Sequence, residues 1–94
     1  MDQVLIADAS GRFAVELDEP ASAGYNWTPV ALPPGIQLEG DEVTPGEATW
    51  GGARRHVFRF VASQAGRYQL DFELKRPWEG QPAEGRRVQV QVGA

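Results

Sequence analysis

The sequence predicts an all-β protein, because apolar and polar residues alternate along it and the intervening segments have the composition of turns. The clearest alternation lies in residues 67–75, where every second side chain is apolar, a period typical of half-buried strands. The intervening stretches 32–35, 44–46 and 63–66 contain Pro, Gly or Ser, which favour turns. No window shows the 3.6-residue apolar period of an amphipathic helix.

Seven candidate strands follow from this alternation. They cover residues 3–7, 12–17, 25–31, 36–39, 55–62, 67–75 and 86–92. Two antiparallel sheets packed face to face would bury one side of each strand, so the sequence predicts an immunoglobulin-like β-sandwich of about seven antiparallel strands. Eight apolar residues are expected to share its core: Phe13, Val15, Trp27, Phe58, Phe60, Leu70, Phe72 and Val90.

Length and composition exclude several classes of protein. We expect one domain over residues 1–94, with no zinc knuckle, thiolate nucleophile or multi-His metal site, because the chain has no Cys and one His. A formal net charge of −4 argues against nucleic acid or an anionic membrane as partner. We expect no cofactor and a monomer when free. No signal peptide is evident, so a soluble protein is expected, and its compartment stays open: cytoplasmic, or secreted or periplasmic if a leader has been removed.

The single histidine and the serines do not support an enzymatic function. His56 shares strand parity with Phe58 and Phe60, so we expect it at a strand end near the core edge rather than as a ligand. It could serve as a base, with Ser10, Ser22 and Ser63 as available hydroxyls. No nucleophile elbow or carboxylate pair accompanies them, and the protein is therefore predicted not to be an enzyme.

Three segments are not explained by a sandwich core alone. The first, at residues 20–25, carries small uncharged residues and would present mainly backbone groups. The second is a long connection from residue 40 to 54 that contains Trp50, Gly51 and Gly52, and the third, at residues 75–80, contains Arg76, Pro77 and Trp78. Loops with exposed aromatic and Gly residues on a rigid scaffold are where binding function concentrates.

The order of these segments predicts where they lie. Each is separated from the next by an even number of strand reversals, so in an up-and-down sandwich all three emerge at one end. We refer to them as the first, second and third loops.

Together the three loops resemble the chagasin family of cysteine-peptidase inhibitors. The resemblance rests on Ser22-Ala23-Gly24-Tyr25-Asn26-Trp27, on Gly51-Gly52 before the strand with Phe58-Arg59-Phe60, and on Arg76-Pro77-Trp78-Glu79. In that family the first loop typically reads Asn-Pro-Thr-Thr-Gly-Tyr-x-Trp, the second is Gly-rich and the third reads Arg-Pro-Trp. The order and spacing match over most of the chain.

The resemblance implies an immunoglobulin-like domain that inhibits papain-like peptidases reversibly. The first loop would enter the active-site cleft while the other two contact its sides. The implied peptidase-binding residues are Ser22, Ala23, Gly24, Tyr25, Trp50, Gly51, Gly52, Arg76, Pro77 and Trp78. This chain departs from the family in the first loop, with Pro20 for Asn, Ala21 for Pro, Ser22 for the first Thr and Ala23 for the second.

Two other functions compete with the inhibitor. Tyr25, Trp50 and Trp78 could form an aromatic platform for sugar rings in a carbohydrate-binding module, and a purely structural immunoglobulin-like domain is also possible. A sugar platform does not need the small Ser22, Ala23 and Gly24, whereas a protein that blocks a cleft does. We therefore favour a competitive inhibitor that fills the cleft without being cleaved.

Overall fold

A computed structural model describes residues 3–20, 24–44 and 53–93, and these ranges contain seven strands and no helix. The strands are β1 (Gln3–Ile6), β2 (Arg12–Pro20), β3 (Asn26–Val30), β4 (Ile36–Thr44), β5 (Ala53–Ala62), β6 (Gly66–Lys75) and β7 (Glu84–Val92). They form a four-stranded sheet in the order β1-β7-β6-β3 and a three-stranded sheet in the order β2-β5-β4. The all-β sandwich predicted from the alternation is confirmed.

The core lies between the two sheets and contains all eight apolar residues expected there, together with Leu17, Ile36, Ala62, Leu74, Val88 and Val92. Strict alternation in β2, where every second residue is buried, shows how period two assigns one face of a strand to the core. The rings of Phe58 and Phe72 face each other across the two sheets, with centroids 5.2 Å apart. Trp27 is 1% exposed, which confirms it as a core residue.

One pairing differs from the expected antiparallel arrangement. β1 pairs with β7 in parallel, with Leu5 opposite Val90. Parallel neighbours need a long crossover connection, and here the other five strands lie between them in the chain. The alternation of apolar and polar residues predicts where the strands lie, but it carries no information on this pairing.

Two strands extend beyond their predicted ends because polar residues continue them. β2 was expected to stop at Leu17 but runs to Pro20, and Glu19 keeps the inward phase of the apolar residues before it. β4 was expected to stop at residue 39 but runs to Thr44, so the predicted connection from residue 40 to 54 is too long. A bulge between Leu38 and Gly40 shifts the register of β4, which breaks the apolar alternation and hides the second half of the strand.

His56 is also placed differently from the expectation. It does lie on the face of Phe58 and Phe60, but β5 begins at Ala53, so His56 is inside the strand and only 5% exposed. Its ring stacks on that of Phe58 at a centroid distance of 4.1 Å. The histidine is thus a buried residue of the sandwich rather than a strand-end residue.

Candidate functional site

The three loops leave the sandwich at the same end. The β2–β5 ladder reaches Pro20 opposite Ala53, so β2 runs into the first loop where β5 comes out of the second. On the other sheet, β3 begins with Asn26 opposite Lys75, the last residue of β6. The loops occupy residues 21–25, 45–52 and 76–83 between these strands. The predicted clustering at one end is confirmed.

The described end of the first loop packs against the third loop. Gly24 has a φ of +74° and lies so close to the third loop that a Cβ atom there would sit 3.1 Å from Cη2 of Trp78. A side chain at this position would therefore be strained both by the backbone angle and by the indole. The next residue, Tyr25, lies under the guanidinium of Arg76, whose Cζ is 4.8 Å from the ring centroid.

Arg76 is held in place by a two-point ion pair within the third loop. Its Nε and Nη2 donate to Oε1 and Oε2 of Glu79 at 2.8 and 2.9 Å, the bidentate geometry that fixes a guanidinium plane. The backbone N–H of Glu79 donates to the carbonyl of Arg76 at 3.0 Å and closes the turn. These hydrogen bonds lower the pKa of Glu79 and raise that of Arg76, so both groups stay charged.

Trp78 projects from the turn that this ion pair stabilises. It is 71% exposed, although the Arg76 guanidinium lies 5.5 Å from its ring centroid. Large exposed aromatic side chains cost solvation free energy in a free domain, and they commonly contribute most of the affinity when a partner buries them. The contrast between exposed Trp78 and buried Trp27 follows the expectation for each.

Beneath the loops lies a buried polar cluster that the sequence analysis did not identify. The Glu19 carboxylate is completely buried. It accepts a hydrogen bond from the Trp27 backbone N–H at 2.8 Å, receives Nε of Arg54 at 2.8 Å and lies 2.9 Å from Nδ1 of His56. Nε2 of His56 in turn lies 2.6 Å from Oδ2 of Asp41. The sequence signal that could have identified this cluster is that Glu19 continues the inward-facing alternation of β2.

The structure thus brings four of the predicted site residues together: Gly24, Tyr25, Arg76 and Trp78. Pro77, between the last two, is exposed. Ser22, Ala23, Trp50, Gly51 and Gly52 lie outside the described residues. Within 3–20, 24–44 and 53–93, no group of three His, Asp or Glu side chains is arranged to hold a metal ion, and no helix in those ranges is suited to cross a membrane.

The fold and the site define a class of protein: a β-sandwich that presents three loops, with an exposed aromatic among them, at one end. The family model described as Chagasin family peptidase inhibitor I42 matches residues 7–92. The chain belongs to the chagasin family. It is accordingly a cysteine protease inhibitor and not an enzyme, and this membership disfavours the carbohydrate-binding and purely structural alternatives.

Solved structures show the same fold at low sequence identity. A crystal structure of a cysteine protease inhibitor from Entamoeba histolytica superposes with a TM-score of 0.76 at 17% identity, covering 98% of this chain and 88% of that one. The solution structure of Amebosin gives a TM-score of 0.64 at 15% identity, covering 99% of this chain and 100% of that one. The comparison with curated proteins found no match.

Proposed function

We propose that this protein inhibits papain-like cysteine peptidases reversibly and in competition with substrate, using its three loops to block the active-site cleft. The observation that carries the proposal is the exposed Trp78 in contact with Gly24 and beside Tyr25, in a chain of the chagasin family. The proposed peptidase-binding residues are those expected from the sequence: Ser22, Ala23, Gly24, Tyr25, Trp50, Gly51, Gly52, Arg76, Pro77 and Trp78.

The first loop has the chemistry required to fill a narrow cleft. Ser22, Ala23 and Gly24 carry little side chain, so they would offer mainly backbone N–H and C=O groups, which suits a cleft that binds extended peptides through backbone hydrogen bonds. A loop held in a non-productive pose does not present a carbonyl to the catalytic thiolate at the attack geometry. Inhibition would then be competitive, and it would reverse on dilution because no covalent bond forms.

The third loop would supply the aromatic anchor beside the cleft. Trp78 is already 71% exposed and lies beside Gly24 of the first loop, so burying it against a peptidase requires no unfolding of the sandwich. Its neighbour Arg76 is fixed by Glu79 and contacts both aromatic rings. A loop that is ordered before binding loses less conformational entropy in the complex, and this favours affinity.

The same contacts argue against an aromatic sugar platform. A stacked sugar ring needs the open face of an aromatic side chain, but the guanidinium of Arg76 already lies over the Tyr25 ring. Tyr25 is only partly exposed. We therefore propose a protein partner. We also propose that the free inhibitor is a monomer formed by a single domain.

The test is a titration of papain with the wild-type protein and with Ala23→Trp. If the first loop enters the cleft, a bulky side chain at Ala23 should abolish inhibition while the melting temperature stays unchanged. Wild-type protein should also bind papain whose catalytic cysteine is replaced by a small inert residue, because the loop fills the site without reacting. Equal inhibition by the two proteins would exclude the first loop as the blocking element, and absence of wild-type binding to papain-like enzymes would refute the proposed function.

A further inference from the structure

The completely buried carboxylate of Glu19 needs an explanation beyond stability. Burying an ionised group is costly, and replacing a buried ion pair by apolar residues of similar volume is often neutral or stabilising. Apart from His56, the core beside it is apolar and contains large side chains such as Phe58 and Trp27. The position of Glu19, rather than its contribution to packing, is therefore the informative feature.

Glu19 spans the base of the first loop. It is the penultimate residue of β2, and its Oε1 accepts the N–H of Trp27, the second residue of β3. A second hydrogen bond joins the same two strands, from Nε1 of Trp27 to the carbonyl of Asp18 at 2.8 Å. Because β2 and β3 belong to different sheets, these bonds fix the separation of the points where the first loop leaves and re-enters the sandwich.

The second carboxylate oxygen of Glu19 connects the strand before the first loop to the strand after the second loop. Oε2 of Glu19 accepts a hydrogen bond from Nε of Arg54, the second residue of β5, which is separated from the second loop by Ala53. Nη2 of Arg54 donates to Oδ1 of Asn26 at 3.4 Å, and Nδ2 of Asn26 donates to the carbonyl of Gly24 at 3.2 Å. A continuous hydrogen-bonded path thus runs from the base of the second loop to the backbone of the first.

We propose that Glu19 is a positioning residue for inhibition: through Trp27 and through Arg54 and Asn26 it sets the relative position of the first and second loops. Glu19 does not contact the peptidase in this scheme. It acts because strand ends held at a fixed spacing leave less conformational freedom to be lost on binding than strand ends that move independently. The inference rests on the proposed three-loop inhibition.

Two substitutions separate positioning from stability. Glu19→Gln keeps the size of the side chain but removes the negative charge and one acceptor oxygen facing Arg54. Arg54→Lys retains a cation beside Glu19 but lacks the Nη2 group that donates to Asn26. The matched control is Glu16→Gln, which removes the exposed pair of Glu16 with Arg55 on the same two strands.

Each protein is assayed for inhibition of papain, for its melting temperature, and for the amide resonance of Gly24 in the free state. We expect Glu19→Gln and Arg54→Lys to raise the inhibition constant by about tenfold to a hundredfold and to shift the Gly24 resonance, at temperatures where both remain folded. Glu16→Gln should change neither. The Gly24 shift is informative because Glu19 does not touch that residue.

The outcomes are distinguishable from failure of the proposed function. If wild type inhibits papain and the folded Glu19→Gln and Arg54→Lys proteins inhibit equally well, the positioning role is wrong while the proposed function stands. If inhibition is lost only in proportion to unfolding, Glu19 is structural and the inference is also wrong. Should Glu19→Gln fail to fold, Arg54→Lys decides the question. If wild type binds no papain-like peptidase, both proposals fail.

Discussion

The two ends of the sandwich are built by different kinds of interaction. At the end opposite the three loops, backbone hydrogen bonds join one turn to the next, such as those from the N–H of Ala62 to the carbonyl of Gly11 and from the N–H of Ser63 to the carbonyl of Gly35 at 2.8 and 2.9 Å. At the loop end, side chains make connections between strands, with Glu19 joined to Trp27 and Arg54. We call the first the turn end and the second the loop end.

This difference indicates how a small domain can fix the strand ends that carry long loops. Turns that lie side by side satisfy each other's backbone groups, whereas long loops leave the strand ends without such neighbouring partners. Here a buried polar cluster substitutes for them at the loop end. The comparison predicts that the turn end affects stability alone, while the loop end affects both stability and inhibition, and four substitutions test this division.

The largest effect is expected from Trp27→Ala, below the loops. Trp27 is fully enclosed in the core and its indole N–H is bonded to Asp18. Removing the ring should lower the free energy of unfolding by about 3–5 kcal/mol, as for other large-to-small core changes. Urea denaturation measures this change. A loss within about 0.5 kcal/mol, as for a typical surface substitution, would contradict the core assignment.

Trp78→Ala, also at the loop end, should weaken peptidase binding rather than stability. The side chain is 71% exposed, so its loss should leave the melting temperature nearly unchanged. Peptidase binding should weaken by about 2–4 kcal/mol, the scale of an interface hot spot. The two measurements are a thermal scan and a papain titration, and a large fall in melting temperature with unchanged affinity would place Trp78 in the core instead.

The fold could be predicted from the sequence because period-two alternation is a direct consequence of strand geometry. The ends of the strands could not be predicted where the inward-facing position is polar. Glu19 of β2 contacts His56 from an inward position, but it interrupts the apolar pattern. In β4 the bulge changes the phase of the pattern, and Asp41, which also contacts His56, is exposed. Composition alone does not show that a polar residue is buried with a partner.

The candidate site residues have a different basis, and they stay a prediction. The resemblance to the chagasin family assigned candidate residues to all three loops, but it did not predict the contacts between the loops. That Gly24 lies against Trp78, and that Arg76 covers Tyr25, depends on the pairing of β3 with β6, which places Asn26 opposite Lys75. This pairing joins segments that are far apart in the chain, so no local stretch of sequence shows it.

A third substitution, Gly11→Ala, tests the turn end. Gly11 has a φ of +84°, and a Cβ atom there would lie 2.5 Å from the carbonyl oxygen of Ala62. Both the backbone strain and the clash with a backbone atom should destabilise the fold, by about 1–3 kcal/mol. Inhibition of papain below the melting temperature should not change. Weaker inhibition by the folded variant would show that the two ends are coupled through the sandwich.

The smallest effect concerns Glu79, whose role is to hold Arg76 over the aromatic residues of the loop end. Hydrogen bonds from Arg76 lower the pKa of Glu79 from its ordinary value of 4.5. A carboxylate with a lowered folded-state pKa contributes fully above its unfolded value, and this contribution is lost as the pH falls through the folded value. The ion pair should therefore be intact at pH 5 and at pH 7, and it should break only in stronger acid.

Titration of the free protein, followed through the Arg76 Nε–H resonance, measures this directly. In wild type the resonance should be constant from pH 7 to 5 and shift at a pH below 4.5, whereas Glu79→Gln should show no such transition. Because the pair is partly exposed to solvent, Glu79→Gln should weaken inhibition less than Trp78→Ala does. An Arg76 resonance that already changes between pH 7 and 5 would mean that Glu79 does not fix the guanidinium, and the ordering of Tyr25 and Trp78 would then need another source.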